Sequence, residues 1–270
     1  FGGHQFRDSQ PGGHGIVDMY KSIVKSSDTY YYMLANDLGI DAIAKFMAQF
    51  GFGARPGIDI AGEAAGILPS QEWKMRRFQQ KWFPGETISI GIGQGYNAYT
   101  PLQLAQAVAM LANGGIAQQP QLVSAIEDFR TQERAAIEPR RLRTLDLRKE
   151  HLEFVRQALV GVNKEGTAAR SFVGAAYVSA GKTGTAQVIG IKQGEKYVES
   201  KVQEELRDHS LFIAYAPADT PRIALAVIVE NAGFGARAAA PLTRKVLDYY
   251  LLGKQPAPER RSKDPYESSG

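Results

Sequence analysis

From Tyr177 onward the apolar residues of this chain stop recurring at helical intervals and gather in short β-rich bursts: "YVSAGKTGTAQVIG", "SLFIAYAP" and "RIALAVIVEN". The last two are separated by Ala218-Asp219-Thr220-Pro221, a turn by composition, and the three are expected to form a meander of antiparallel strands. Before them the pattern is helical. Val17, Tyr20 and Val24, then Tyr31, Leu34 and Leu38, recur at helical spacing up to Gly39, a C-cap by type, and Asp41 to Phe50 continues as a second helix before the Gly51-Phe52-Gly53 turn. Thr100-Pro101-Leu102-Gln103 combines an N-cap hydroxyl, a proline in the first turn and a glutamine placed to close a capping box. The helix it opens is apolar at Leu104, Val108 and Leu111 and stops at Asn113-Gly114-Gly115. His151 to Val162 reads as another amphipathic helix, and Pro241 to Leu252 as a last one that packs against the strands. Helices, then strands, then a closing helix imply a mixed α/β fold, an antiparallel sheet flanked by helices.

Other segments carry weaker signals. Residues up to Gly15 read as a surface loop, 54 to 95 mix glycine, proline and aromatics, and the basic run from Lys74 to Phe83 reads as a solvated face. Residues 128 to 148 are charged and aperiodic, and "KQPAPERRSKDPYESSG" is expected to be a disordered tail, leaving 1–252 as the folded part and 253–270 outside it. Phe1-Gly2-Gly3-His4 resembles neither a signal peptide nor an initiator methionine, so the chain reads as a fragment, incomplete at its N-terminus.

Composition narrows the function by exclusion. A formal charge of +4 is too small to announce nucleic acid, and none is expected as a partner. The absence of cysteine removes thiolate catalysis and thiolate metal sites. No apolar run reaches the roughly 18 residues of a membrane span. The four histidines show no paired-ligand spacing, and neither metal nor cofactor is expected.

Lys182-Thr183-Gly184-Thr185 is the most informative tetrad. A phosphate-binding P-loop would need glycine where Ala176 stands and a helix directly afterwards, whereas "TAQVIG" reads as strand. A lysine, two hydroxyls and a glycine along an edge strand instead present a cation, two donors and an approachable backbone N–H on one wall of a cleft. Such a wall suits a carboxylate and an oxyanion. K-T-G is one of three motifs, with S-x-x-K and S-D-N, that mark penicillin-binding proteins and class A β-lactamases.

Ser26-Ser27-Asp28, an S-x-D about 150 residues upstream, is the second element. Around it "SSDTYYYMLANDLGID", "FGFG", "GETISIGIGQGYNAYTPLQLAQAVAMLANGG", "SAGKTGTAQV", "LRDHSLFIAYAP" and "VIVENAG" resemble the class B penicillin-binding transpeptidases of Gram-negative cell elongation, from Phe6 to about Leu252. The resemblance implies a β-lactamase/transpeptidase-like fold and serine acyl transfer from D-alanyl-D-alanine stem peptides of peptidoglycan, with β-lactams as inhibitors. It implies that Ser26, Asp28 and Lys182 are catalytic: Ser26 relays a proton, Asp28 orients it and contacts the substrate amide, and Lys182 sets the electrostatics of that relay. Thr183, Gly184 and Thr185 bind substrate; the two threonines take its carboxylate, and the Thr185 N–H supplies half of an oxyanion hole. It also implies an anchor in the bacterial inner membrane outside this chain, a periplasmic catalytic domain, and a membrane glycosyltransferase and a scaffold as partners.

Ser22-Ile23-Val24-Lys25 matches S-x-x-K in letters. In the family, however, the nucleophile motif lies some fifty residues before S-x-D, so Ser22 is expected to be a helix-surface serine and the nucleophile to lie upstream of Phe1. Some relatives carry zinc near the active centre. Asp8 and His14 have a compatible spacing, but Ser27 stands where the relatives have cysteine and is a poor ligand, so the two are read as part of a polar loop. The glycines of Gly91 to Gly95 are expected to form tight backbone near the cleft floor, and Arg55, Trp73, Trp82 and Tyr96 are assigned no role. The alternatives are a D,D-carboxypeptidase or β-lactamase, a non-catalytic penicillin-binding sensor or interaction module, and a P-loop NTPase.

Overall fold

The structure, a computed structural model, describes residues 2–3, 5–190 and 202–255. The Asp18 carboxylate accepts from the Lys21 N–H at 2.7 Å and so starts α1 (Met19–Lys25). The helical spacing up to Gly39 does not describe one continuous helix. At Ser26 the backbone turns left-handed, with φ 57° and ψ 55°, and α2 (Asp28–Leu38) restarts after Ser27. Gly39, with φ 75°, separates α2 from α3 (Ile40–Ala48), as its residue type implied.

Two helices lie in the stretch from 54 to 95, where the sequence showed none. Ser70 Oγ accepts from the Trp73 N–H to cap α4 (Gln71–Phe78). Pro84 opens α5 (Pro84–Gly91), whose Glu86 reaches back to the Phe83 N–H. At eight residues each they are too short for an apolar pattern to repeat. The charge run around α4 is solvated at Arg76, Arg77 and Lys81 but not at Lys74, which is 1% exposed. Its ammonium sits 2.5 Å from Glu86 Oε1 and 4.5 to 5.9 Å from the ring centroids of Trp82, Phe83 and Tyr96. A charge this deep persists only when paired, so α4 is pinned to α5. Helix α5 in turn lies against α2 at Gly91, where a β-carbon would collide with Ala35 and the Tyr31 carbonyl.

The expected capping box opens α6 (Pro101–Ala112): Gln103 N–H donates to Thr100 Oγ1 at 3.1 Å, and Thr100 N–H to Gln103 Oε1 at 2.9 Å. Four short strands follow, β1 (Ile116–Gln118), β2 (Ala125–Glu127), β3 (Arg134–Ala136) and β4 (Arg141–Thr144), with β1 pairing β4 and β2 pairing β3, both antiparallel. The charged segment from 128 to 148 is therefore not irregular throughout. Its three- and four-residue strands expose every side chain and so carry no alternation to read.

Helices α7 (Lys149–Lys164) and α8 (Ala169–Phe172) lead into the expected meander of β5 (Ala180–Ala186), β6 (His209–Ala216) and β7 (Ile223–Val229), in the order β5-β6-β7. Lys182 pairs with Ile213 and Ser210 with Val229. Helix α9 (Ala239–Leu252) closes over β6 and β7, while α6 packs against the same strands and α7 against β5 and α1. Phe212, Ala214 and Tyr215 of β6 are wholly buried among Leu159, Val162, Phe172 and Leu247. Large side chains buried in this way contribute about 1.5–3 kcal/mol each. A second cluster, Phe50, Phe52, Met110 and Leu145, lies apart from this core. The tail expected from 253 falls outside the described residues beyond Gln255, and among the described residues no helix is long and apolar enough to cross a membrane.

Candidate active site

The break between α1 and α2 brings Ser26 to the sheet. Ser26 Oγ accepts from Lys182 Nζ at 2.7 Å, across 156 residues of sequence, and the same ammonium donates to the Thr183 carbonyl at 3.0 Å. The first two residues of K-T-G and the serine of S-x-D thus share one hydrogen-bonded group. Burial disfavours the charged form of Lys182 and pushes its pKa down to about 8, against the opposing pull of the Asp28 carboxylate. Asp28 is shifted upward, first by burial and then by the charge of Asp8, while Lys182, the Ser9 backbone and His14 act the other way.

Asp8 is not simply part of a solvated loop. Its carboxylate accepts from Thr29 Oγ1 at 2.5 Å, from the Thr29 N–H at 3.4 Å and from Ser27 Oγ at 3.5 Å, docking the N-terminal segment onto the S-x-D turn. Zinc does not fit this arrangement. Asp8 is engaged by three donors, Ser27 offers a hydroxyl where a thiolate would be needed, and the described residues contain no group of three or more His, Cys, Asp or Glu that could hold a metal ion.

Ser22 does not lie on the helix surface as expected; it is fully buried. The Ser22 face of α1 points inward: its Oγ donates to the Met19 carbonyl at 2.7 Å and to Tyr31 Oη at 3.3 Å. Lys25, its partner in the S-x-x-K letters, reaches away to the Glu165 carbonyl at 2.8 Å. The pair has no mutual hydrogen bond and takes no part in the Ser26–Lys182 contact.

Along β5 the polar groups of alternate residues point to the same side of the strand. Lys182 Nζ meets the Thr183 carbonyl, and Gln94 meets the carbonyl of Thr185 and the N–H of Gln187, so the odd-numbered residues face away from β6. No strand pairs with that side among the described residues. Thr183 Oγ1 shares a 2.8 Å hydrogen bond with Thr167 Oγ1, and the Thr167 N–H donates to the Val24 carbonyl at 3.2 Å, tying β5 to α1. Gly184 is closely backed by Gly235, where a β-carbon would collide with the Gly184 backbone.

The sequence did not single out Thr167 or Gln94. Thr167 follows a glycine after α7, a common loop pair that carries no signal of its own. Gln94 lies within the Gly91 to Gly95 run, which abuts β5. Trp73, Trp82 and Tyr96, left without a role, form the aromatic surroundings of α4 and Lys74.

A half-buried lysine on an edge strand, hydrogen-bonded to a serine on a distant helical break and flanked by threonines, is the arrangement in which the S-x-D and K-T-G elements meet. The chain belongs to the penicillin-binding protein transpeptidase domain family, whose model matches residues 1–248. Among its relatives is the peptidoglycan D,D-transpeptidase MrdA of Haemophilus influenzae, 43% identical over 263 residues, a match covering 95% of this chain and 40% of that protein. Among solved structures, it is similar to PBP2 of Pseudomonas aeruginosa in complex with WCK 5153, with TM-score 0.79 and 40% identity, covering 94% of this chain and 54% of that one. It is also similar to PBP2 of Helicobacter pylori in complex with MreC, with TM-score 0.77 and 29% identity, covering 94% of this chain and 44% of that one. The family and fold expected from the motifs are thereby borne out. The chain spans about 40% of the length of the curated relatives it matches.

Proposed function

We propose that this chain supplies the S-x-D and K-T-G walls of a serine peptidoglycan D,D-transpeptidase that forms cell-wall cross-links during elongation and is a target of β-lactams. The 2.7 Å contact between Ser26 and Lys182 beside the edge of β5 carries this reading. In the reaction a serine attacks the carbonyl of the penultimate D-alanine of a stem peptide and forms an acyl-enzyme, D-alanine leaves as the protonated amine, and an amine of a neighbouring strand then takes the acyl group and restores the serine. Ser26, held by Lys182, passes the proton to the leaving amine and from the attacking one. Asp28 orients that relay and contacts the substrate amide. Lys182, with Thr183 and Thr185, receives the terminal carboxylate, and the edge-facing Thr185 N–H stabilises the oxyanion. One such donor is worth about 10²–10³ in rate. The nucleophile is a serine other than Ser22, whose hydroxyl is buried against Met19 and Tyr31.

The substrate places the domain on the periplasmic side of the inner membrane. A scaffold resembling the MreC found with the H. pylori protein, and a membrane glycosyltransferase that makes the strands, are the proposed partners. Titrating the ¹⁵N-labelled chain with an acyl-D-alanyl-D-alanine peptide should shift the Thr183 and Thr185 amides, with affinity falling about 10-fold or more in Lys182→Met through loss of a charge-assisted contact. Absence of binding, or equal binding by Lys182→Met, refutes the reading. So does labelling of the chain by a fluorescent penicillin that disappears in Ser22→Ala.

A further inference from the structure

Gln94 touches β5 as a neighbouring strand would. Its Nε2 donates to the Thr185 carbonyl at 2.6 Å, and its Oε1 accepts from the Gln187 N–H at 3.3 Å. One side-chain amide therefore satisfies the carbonyl of one residue and the N–H of the second residue on, the pattern by which a parallel strand pairs. The loop that presents it is built for this. Its own N–H donates to the Ser89 carbonyl at 3.0 Å, and its own carbonyl accepts from Asn97 Nδ2 at 3.1 Å. Asn97 Nδ2 also donates to the Ile90 carbonyl, and Asn97 Oδ1 accepts from Tyr99 Oη at 2.6 Å. Gly93 and Gly95, with φ 78° and 70°, make the reversal on either side of Gln94 that a side chain would strain.

We propose that Gln94 is a positioning residue that closes the edge of β5 after Thr185 and so fixes the register in which a substrate peptide can lie along it. Adding an extended peptide to a strand edge uses the same backbone groups at every second residue, so an open edge would accept it in registers two residues apart. With the Thr185 carbonyl and the Gln187 N–H already engaged, a peptide cannot slip toward Gln187, and the register that sets the scissile carbonyl against the Thr185 N–H is the last one open in that direction. This inference rests on the transpeptidase reading of the site. Gln94 acts through the backbone of β5 and touches no reacting atom.

Amide hydrogen exchange and peptide titration of the 270-residue chain test it together. In the unmodified chain the Gln187 amide is expected to be protected, and the peptide to shift Thr183 and Thr185 but not Gln187. Gln94→Ala should speed Gln187 exchange about 10-fold, the weight of one hydrogen bond, and extend the peptide footprint to Gln187. The amides of Gly184 and Ala186, which face β6, should stay protected, a contrast that general loosening of the fold would not produce. Gln94→Glu replaces the Nε2 donor with an oxygen that faces the Thr185 carbonyl, and should therefore speed Gln187 exchange and extend the footprint as Gln94→Ala does. The inference is overturned if Gln187 exchanges freely in the unmodified chain, or if Gln94→Ala changes neither its exchange nor the footprint while the peptide still binds. If the unmodified chain binds no peptide although Gln187 is protected, the transpeptidase reading fails, and the register role falls with it.

Discussion

Lys182 donates to Ser26 from a position where burial disfavours its charge. Its pKa of about 8 means that the ammonium is intact below that value and is lost as pH rises through it. Affinity for a peptide carboxylate is therefore expected to be flat at lower pH and to decline through pH 8, with the decline absent in Lys182→Met; isothermal titration between pH 6.5 and 9.5 would check this, about one and a half units either side of the transition. Stability moves the opposite way. Between about 8 and the ordinary 10.5, the unfolded chain keeps a proton that the folded chain releases, so folding relative to Lys182→Met should strengthen with pH across that window. Ser26, Asp28 and Lys182 were readable in the sequence because S-x-D and K-T-G are particular residue types in a short order. Gln94 was not, because a carboxamide that mimics a backbone can stand in any polar loop. Ser22 was misread because its letters say nothing about which face of α1 turns inward.

Among the elements, the junction of α1 and α2 and that of α4 and α5 each turn on one unusual residue. Ser26 occupies left-handed backbone that disfavours a β-carbon by roughly 1–2 kcal/mol. Ser26→Gly should consequently be more stable than Ser26→Ala, by about 1 kcal/mol in urea unfolding, although both lose the hydroxyl that meets Lys182. At the second junction, Lys74 is buried and Glu86 keeps part of its surface, 23% of its side chain. Glu86→Gln strands a buried ammonium and is expected to destabilise by about 3 kcal/mol, whereas Lys74→Met, which removes the charge that burial penalises, should cost clearly less. Equal losses from the two substitutions would contradict this account. The short helices α4 and α5 were invisible to periodicity, yet their signals were present: a serine before Gln71, and a proline and a glutamate in the first turn of α5.

For the molecule as a whole, the pattern of the sequence determined the main body. The meander, α6, α7 and α9 all followed from a change of apolar period or from a cap, because each buries one face in the core around Phe212. Phe212→Ala is expected to destabilise by about 3–5 kcal/mol in a single cooperative transition. A much smaller loss would mean that the core does not sit where β6, α8 and α9 converge. The β1–β4 and β2–β3 pairs escaped notice because strands of three or four mostly exposed residues leave no alternation to read. The contact between Ser26 and Lys182 spans 156 positions. Closing so long a loop costs on the order of 4–5 kcal/mol of chain entropy before the contact can form. The serine is therefore expected to find its lysine late in folding, after α7 and the sheet have docked. The appearance of that one contact then marks the moment at which α1 and the sheet are joined.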